Sequence, residues 1–235
     1  MLLQKSIHFT ISHLSHLFYP HVCEGCGTDI LQANSTLCSK CIYNLPVTGF
    51  TNVTGNFAEK KFIGRMSIEK ATSALYFNKK ALVQHLIFQL KYRNNQAIGL
   101  FLGKILGEQL LATNRFNDID LLIPIPLNAQ KEKKRGYNQA AVICKGITSV
   151  WPKPIDEYSV IRSVFTETQT KQNRISRWQN IDGAFSIANA DALKGKHIAL
   201  VDDVLTTGAT FEACGNEILQ VNQTKLSILS VAYTV

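Results

Sequence analysis

The stretch HIALVDDVLTTGAT, residues 197–210, decides the fold of this chain. Its apolar residues 198–201 predict a short buried strand. The adjacent acids Asp202 and Asp203 then fall at the carboxyl end of that strand, where open α/β sheets collect their ligands. The following loop, residues 206–210, offers backbone N–H groups, hydroxyls and the positive end of a helix dipole, which suit a phosphate. This order of features predicts a sugar-phosphate site.

Two acids beside a phosphate site would repel the anion unless they face another group. A ribose diol, or a Mg²⁺ ion shared with a diphosphate, is the usual partner of such a pair. The plainer interpretation is a strand, a turn and an N-capped helix with surface acids. The length and order of the pattern favour the ligand site.

The order of four apolar residues, two acids, two residues and Thr-Thr-Gly-x-Thr resembles the 5-phosphoribosyl 1-diphosphate (PRPP) motif of type I phosphoribosyltransferases. The resemblance implies that Asp202 and Asp203 hold the ribose hydroxyls. It also implies that the loop holds the 5-phosphate, through Thr206, Thr207, Gly208, Ala209 and Thr210. Several purine-using members carry an acid at the position of Thr206 that can act as a general base, and this chain departs from them there.

In such an enzyme, C1 of the ribose would lose diphosphate through an oxocarbenium-like state while a nitrogen nucleophile approaches. Mg²⁺ and basic side chains would stabilise the leaving group. Glutamine-using enzymes with a similar motif need an amino-terminal cysteine to liberate ammonia, whereas Leu2 follows Met1 here. Free ammonia and a nucleobase both remain as acceptors.

The composition fits one α/β domain and a small module. Of the 235 residues, 46% are hydrophobic, which is enough for one α/β core with roughly 50 residues to spare. Residues 48–64 are rich in Thr, Asn and Gly, as is typical of a linker or an extended ribbon. We therefore predict a module over residues 1–55 and a second domain over residues 56–235. The formal net charge of +8 favours phosphorylated ligands or nucleic acid over cationic partners.

The amino-terminal residues 2–18 carry apolar side chains mostly at intervals of three to four, which predicts an amphipathic helix. No segment reaches the roughly 18 uninterrupted apolar residues of a membrane span. Polar residues interrupt any apolar core of a signal peptide, and no small-residue cleavage site follows. We expect a cytoplasmic protein without membrane insertion.

Four cysteines form two CxxC pairs, Cys23 with Cys26 and Cys38 with Cys41, with eleven residues between the pairs. Each pair can present two sulfurs to one ion, and the two pairs complete a tetrahedral site. Disulfides are the alternative, but a chain without a secretory signal sits in a reducing compartment. His21 is an alternative ligand. The spacing favours structural Zn²⁺, because four cysteines leave no open coordination position for catalysis.

Apolar runs and helical spacing alternate along the rest of the chain. Strands are predicted at residues 71–77, 119–125, 198–201 and 226–233, and helices at residues 82–90, 98–111, 137–150 and 211–221. This alternation predicts an α/β fold with a mostly parallel sheet and helices on both faces. A small zinc-ribbon-like module would precede that sheet.

Further stretches of the chain carry groups that bind anions. They are Lys91-Tyr-Arg93, Pro124-x-Pro126, Arg135-Gly-Tyr-Asn-Gln139, the Arg162-x3-Thr166-x2-Gln169 run, Arg177-x2-Asn180 and Gly183-Ala-Phe185. Each basic stretch alone is typical of a solvated charged face. Together with the two strong motifs, they make the chain similar to the ComF family of phosphoribosyltransferase-like proteins, which is associated with DNA uptake and gluconate utilisation. The type I phosphoribosyltransferase fold follows from that resemblance.

The ComF resemblance implies roles for these residues. Arg135 and the loop after Ile123 would meet the diphosphate, so Arg135 joins Asp202 and Asp203 as a catalytic candidate. Residues 166–177 would form a mobile cover that excludes water and brings arginine charge to the departing diphosphate. The PRPP-binding candidates outside the motif are Lys91, Arg93, Arg135, Arg162, Gln169 and Arg177.

Two classes of function follow. An enzyme would bind PRPP with Mg²⁺ and transfer phosphoribosyl to a nitrogen acceptor, in a role linked to DNA uptake. The alternative is a competence factor that binds PRPP or single-stranded DNA without turnover. For either class, the resemblance implies a DNA-translocating helicase and a DNA-processing protein as partners. The basic residues 131–135 support DNA binding, but little aromatic character beyond Tyr137 lies near them, and single-strand binders need stacking.

Overall fold

The computed structural model describes residues 21–32, 35–78, 81–162 and 184–235. The chain divides into two compact units, Met1–Leu45 and Pro46–Val235. The predicted amphipathic helix of residues 2–18 lies outside the described residues. Within the described ranges, no helix is both long enough and apolar enough to cross a membrane.

The second unit alternates strands and helices. Its strands are β1 (Lys70–Phe77), β2 (Leu121–Pro124), β3 (Val160–Arg162), β4 (Phe185–Ile187), β5 (His197–Leu205) and β6 (Lys225–Thr234). Its helices are α2 (Phe57–Lys60), α3 (Leu82–Tyr92), α4 (Gln96–Leu111), α5 (Ala129–Arg135), α6 (Gln139–Thr148) and α7 (Ala209–Leu219), numbered after α1 (Ser39–Tyr43) of the first unit. Short 3-10 turns span Phe50–Asn52 and Asn114–Phe116.

Four strands form one sheet in the order β1-β6-β5-β2, and every pairing in it is parallel. Pro124 of β2 lies beside Val201 of β5, and Asp202 lies beside Ser230 of β6. Strands β3 and β4 form a separate antiparallel pair. The predicted α/β fold with a mostly parallel sheet is confirmed, and the carboxyl ends of the four parallel strands share one edge.

Both faces of the parallel sheet are covered, because successive side chains of a strand point to opposite faces. Ile198 and Leu200 of β5 belong to a buried cluster that includes Phe211 of α7. The intervening Ala199 and Val201 are fully buried on the opposite face, where α4 and α6 contact the strands. A strand that is buried on both faces is apolar throughout. The predicted helices on both faces are confirmed.

The second unit begins at Pro46, whereas the sequence predicts a boundary after residue 55. The carbonyl oxygen of Pro46 accepts a hydrogen bond from the Tyr76 N–H at 2.7 Å, and the Thr48 N–H donates to the carbonyl oxygen of Ala74 at 3.1 Å. The segment that follows Pro46 therefore pairs its backbone with β1. Its Thr, Asn and Gly residues belong to the second unit, and of the two interpretations of this segment its pairing with β1 fits the extended ribbon.

Strand β5 is longer than predicted, since it continues through both acids to Leu205. Asp202 pairs with Ser230 of β6, and Val204 pairs with Ala232. The backbone pairing with β6 thus extends beyond the apolar residues 198–201 from which the strand is predicted. The two acids lie within the strand, close to its carboxyl end, and not after it.

The basic residues 131–135 form α5, a helix that the sequence analysis does not predict. The Asn128 side chain caps its start by accepting a hydrogen bond from the Gln130 N–H at 3.0 Å. Gly136 ends it with a φ of 82°, in the left-handed region that glycine tolerates. The side chains of this helix are mostly polar and show no helical spacing of apolar residues. In the sequence, the helix is marked only by its capping residues Asn128 and Gly136.

Helices α4 and α6 pack backbone against backbone through glycines. A Cβ added to Gly103 would lie 2.2 Å from the carbonyl oxygen of Ile143, and one added to Gly146 would lie 2.3 Å from that of Leu100. Both distances are well inside van der Waals contact, so neither position accepts a side chain without a backbone shift.

Gly103→Ala is expected to destabilise the second unit by about 2–3 kcal/mol, because the added methyl group meets a helix backbone and not a flexible side chain. Lys104→Ala, on the exposed side of the same helix, should change the free energy of unfolding by less than about 0.5 kcal/mol. Chemical denaturation followed by circular dichroism measures both values. Equal stability of the Gly103 variant and the wild type would contradict this packing.

Candidate functional site

The candidate site lies at the carboxyl edge of the parallel sheet, where β5 runs into its loop. Asp203 is 5% exposed, and its carboxylate lies 2.8 Å from the Lys91 Nζ. Lys91 stands in the last turn of α3, 112 positions earlier in the chain. A buried carboxylate without a partner is strongly destabilising. The Lys91 ammonium therefore makes the burial of Asp203 tolerable.

Asp202 has no such direct cation among the described ion pairs. Its half-buried carboxylate accepts a hydrogen bond from the Asp203 N–H at 2.8 Å. Burial, and then the negative charge of Asp203, raise the pKa of Asp202 to about 7, against weaker opposing effects of that N–H, Lys91 and Arg135. The group can therefore gain or lose a proton near neutral pH.

The loop between β5 and α7 has the geometry of an anion site. Gly208 stands at the N-cap of α7 with a φ of 83° and provides no side-chain cap. The Ala209 N–H at the start of the helix donates to the Thr207 hydroxyl at 3.4 Å. A Cβ at Gly208 would lie 3.0 Å from the Phe62 ring, so both the backbone angle and the contact require glycine. Thr206 and Thr207 are exposed beside it. The loop thus presents hydroxyls and backbone donors at the positive end of a helix dipole.

Arg65 holds this loop from outside the motif. Its Nη1 donates to the carbonyl oxygen of Thr207 at 2.6 Å, and its Nη2 contacts the carboxylate of Glu212 in α7. Arg65 thus ties the loop to the first turn of α7. No sequence motif identifies Arg65, because it lies 142 positions from Thr207.

A basic cavity of about 550 Å³ lies beside Lys91. Its described lining consists of Lys91, Tyr92, Arg93, Asn94, Lys131, Lys134 and Arg135. The Arg135 guanidinium lies over the Tyr92 ring at 5.5 Å and donates to the Gln139 side chain. With five cations and no acid in this lining, the cavity suits an anionic ligand.

Two hydrogen bonds hold the wall of the cavity in position. The Tyr137 hydroxyl donates to the carbonyl oxygen of Leu90 in α3. The Asn138 side chain donates to the carbonyl oxygen of Ile125 at 3.0 Å, directly after β2. These bonds tie the turn between α5 and α6 to α3 and to the end of β2. These two hydrogen bonds join residues distant in the chain, so no local sequence pattern predicts them.

Several predicted site residues come together in the structure. Lys91, Arg93 and Arg135 line the basic cavity, and Lys91 joins it to Asp203. Arg162 lies over the Phe185 ring at 5.1 Å and is absent from the described lining of the cavity. Gln169 and Arg177, with the predicted cover of residues 166–177, lie outside the described residues.

The four cysteines of the first unit converge. The Sγ atoms of Cys23, Cys26, Cys38 and Cys41 all lie within 4.8 Å of one another. The Cys26 and Cys38 sulfurs are 3.7 Å apart, and a tetrahedral zinc site with Zn–S bonds of about 2.3 Å needs sulfurs about 3.8 Å apart. The four cysteines therefore fit a metal ion such as Zn²⁺.

The backbone around Cys23 favours its thiolate, whereas burial and the neighbouring cysteines raise the pKa of the Cys41 thiol well above its ordinary value. Gly27, with a φ of 75°, closes the first turn by donating its N–H to the carbonyl oxygen of Cys23 at 2.8 Å. The Cys38 N–H donates to the Cys23 sulfur at 3.2 Å. Burial raises the pKa of Cys23, but N–H donors of Cys38, Cys26 and Gly25 outweigh it and lower the pKa to about 6. Thiolates are the form that binds a metal.

Comparison with known proteins gives relatives along most of the chain. The chain is 27% identical over 192 residues to DNA utilization protein YhgH of Escherichia coli strain K12, covering 80% of each chain. It is 25% identical over 229 residues to Competence protein F of Haemophilus influenzae, covering 92% of this chain and 98% of that one. It is 30% identical over 100 residues to Competence protein ComFC of Bacillus subtilis, covering 43% and 38%. The similarity to ComF proteins is confirmed.

No protein-family model matches the chain. Among solved structures, it is similar to glutamine PRPP amidotransferase from B. subtilis complexed with ADP and GMP, with a TM-score of 0.42, 16% identity and coverage of 61% of this chain and 30% of that one. It is also similar to a hypothetical protein from Neisseria gonorrhoeae with bound ppGpp, with a TM-score of 0.37, 16% identity and coverage of 59% and 79%.

Asp202→Asn is expected to stabilise the folded protein at pH 8 by about 1–3 kcal/mol, and by progressively less as the pH falls toward 4. The raised pKa means that the folded protein binds a proton that the unfolded chain has lost, so wild-type stability declines as pH rises toward 7. Asparagine carries no charge and keeps an acceptor for the Asp203 N–H. Thermal and urea unfolding between pH 4 and pH 8 measure the difference.

Asp191→Asn, which removes an exposed acid elsewhere, is the matched control and should leave the pH profile of unfolding unchanged. A uniform loss of stability in Asp202→Asn at every pH would contradict a raised pKa of Asp202 in the folded protein.

The purified protein is expected to contain one Zn²⁺ per chain. Cys26→Ser, at the exposed member of the cluster, should lower the zinc content, and chelation should lower the melting temperature of the zinc-loaded protein. Cys144→Ala, which removes a buried thiol of α6, should keep the zinc. Elemental analysis and thermal melting measure these quantities, and a metal-free wild type of unchanged stability would refute a structural site.

Proposed function

We propose that the protein binds PRPP with Mg²⁺ at residues 202–210 and the basic cavity, and transfers the phosphoribosyl group to a nitrogen acceptor. One observation carries the proposal. Adjacent carboxylates near the end of β5 run directly into a phosphate-type loop, and Lys91 joins those carboxylates to a cavity lined by cations. The three parts of PRPP, namely the diol, the 5-phosphate and the diphosphate, need these three environments.

The carboxylates suit the ribose. Asp203 already accepts from Lys91, whereas Asp202 is free of a cation at contact distance among the described residues. A ribose hydroxyl can donate a hydrogen bond to Asp202. Such a donor would stabilise a carboxylate whose charge is unfavourable in the unliganded site. The 5-phosphate then falls to the N–H groups and hydroxyls of residues 206–210.

The basic cavity suits the diphosphate. Lys91, Arg93 and Arg135 line it, and their charges would stabilise the negative charge that grows on the leaving diphosphate as the bond to C1 breaks. Mg²⁺, when bound with PRPP, would supply further positive charge at the diphosphate, and the Asp202 and Asp203 oxygens are the type of ligand it prefers.

The relatives' names support a role in DNA uptake. Proteins named for competence or for DNA utilization match this chain over 80% or more of its length. We therefore propose that the protein acts in the cytoplasm during the handling of incoming DNA, with a DNA-translocating helicase and a DNA-processing protein as partners.

A second candidate function is binding of PRPP or of single-stranded DNA without turnover. Thr206 favours it, because a general base is absent from the loop position where some phosphoribosyltransferases carry an acid. Release of diphosphate from PRPP, measured with ammonia and then with nucleobases as acceptors, separates the two functions. Release with an acceptor supports the transferase, and binding without release supports the second candidate.

Calorimetric titration with PRPP and Mg²⁺ tests the site itself. The wild type is expected to bind, and an Asp202→Asn, Asp203→Asn double variant is expected to lose at least about tenfold in affinity, because two charged acceptors at the ribose are lost. Circular dichroism verifies that the variant is folded. Asp191→Asn, at a distant exposed acid, should bind like the wild type. A folded wild type that does not bind PRPP would overturn the proposal.

A further inference from the structure

An exposed aromatic pair extends the basic cavity along α3. Phe88 and Tyr92 lie four positions apart on this helix, and their ring centroids are 5.0 Å apart at an interplanar angle of 46°. Phe88 is 49% exposed and Tyr92 is 59% exposed. Tyr92 also lines the cavity, so the pair and the cavity form one continuous surface. We call this the α3–α5 surface.

The cations of this surface come from two elements. Arg93 stands at the end of α3, while Lys131, Lys134 and Arg135 come from α5. Glu132, the one acid of α5, is not among the residues that line the cavity. Among the described residues, the cavity lining therefore offers several positive charges and no negative one, which favours binding of a polyanion.

The Arg135 guanidinium lies over the Tyr92 ring, but PRPP alone does not explain the exposed Phe88 ring beside it. A sugar phosphate offers hydroxyls and anionic oxygens but no flat apolar group, so nothing in it needs two exposed rings. A nucleobase does, since its face stacks on aromatic side chains and its phosphates bind nearby cations. Bases within a duplex are already stacked and paired, so the combination favours a single strand over a duplex.

We infer that the α3–α5 surface binds single-stranded nucleic acid, with bases stacking on Phe88 and Tyr92 and phosphates on Arg93, Lys131 and Lys134. This inference rests on the DNA-handling part of the proposed function and deepens it by assigning the polymer a site. Few aromatic residues lie near the basic stretch in the sequence, because Phe88 and Tyr92 belong to another helix. The fold brings that helix to the same cavity.

The overlap of sites has a consequence for both ligands. Lys91 and Arg135 line the same cavity as Tyr92 and are the cations assigned to the diphosphate of PRPP. A strand whose phosphates enter the cavity would occupy those cations. Single-stranded nucleic acid and PRPP are therefore expected to compete.

The test uses the full-length protein and a fluorescently labelled twelve-residue oligothymidylate, followed by fluorescence anisotropy. The wild type should bind the single strand at least about tenfold more tightly than a duplex of the same length. Phe88→Ala with Tyr92→Ala should weaken single-strand binding by about tenfold or more. Tyr158→Ala, which removes an 83% exposed ring elsewhere, is the matched control and should bind like the wild type.

A charge variant tests the second component of the surface. Lys131→Ala with Lys134→Ala should reduce the slope of log affinity against log salt concentration by about 1.4, because two phosphate contacts are lost. Lys194→Ala with Lys196→Ala removes two exposed lysines before the amino end of β5 and should leave the slope unchanged. Equal oligonucleotide affinity and equal salt slopes in all variants would overturn the inference.

Titration with PRPP separates this inference from the proposed function. Phe88→Ala, which removes the ring that lies outside the cavity lining, should weaken oligothymidylate binding but keep wild-type affinity for PRPP. PRPP with Mg²⁺ should displace oligothymidylate from the wild type. A wild type that binds PRPP but no oligonucleotide overturns only this inference. A wild type that binds oligonucleotide at this surface but no PRPP overturns only the proposed function. Simultaneous, independent binding of both ligands overturns their competition.

Discussion

The ion pair between Lys91 and Asp203 is the constraint from which the site is organised. A carboxylate that is 5% exposed within a strand buried on both faces needs a cation at contact distance. Satisfying it draws the last turn of α3 to the carboxyl end of β5. Tyr92 and Arg93 follow Lys91 immediately. The ion pair between Lys91 and Asp203 therefore also positions these two residues, which form one wall of the basic cavity.

The opposite wall is held by the turn between α5 and α6. Gly136 stops α5, and the next two side chains hydrogen-bond to backbone carbonyls of Leu90 and Ile125. Helix α6 then packs on α4 with backbone contacts that only glycine permits. The position of Arg135 therefore depends on packing deep in the second unit, although the residue itself lies at the surface. Rigid supports of this kind hold the charges of a site in place before a ligand arrives.

The local parts of this molecule follow from its sequence, and the parts that depend on distant contacts do not. Residues 197–210 predict a strand, a loop and a helix because each step is encoded within a few positions. The cysteine spacing predicts convergence on one ion for the same reason. By contrast, Arg65 contacts Thr207, which lies 142 positions away in the chain, and no local sequence pattern predicts that contact. The extension of β5 to Leu205 is set by its pairing with β6, so the predicted strand is too short, while the acids do lie near its carboxyl end.

The charge of Asp202 limits the orientation in which the site could accept a ligand. Lys91 contacts Asp203 and leaves the half-buried Asp202 carboxylate beside a negative charge, and burial together with that charge raises the pKa of Asp202 to about 7. An anionic ligand group near Asp202 would be repelled, whereas a hydroxyl donor or a divalent cation would relieve the conflict. The backbone N–H groups of the loop after β5 have the opposite preference, since they lie at the positive end of the α7 dipole. A sugar phosphate can satisfy both environments in only one orientation, with its phosphate at the loop and its hydroxyls at the acids.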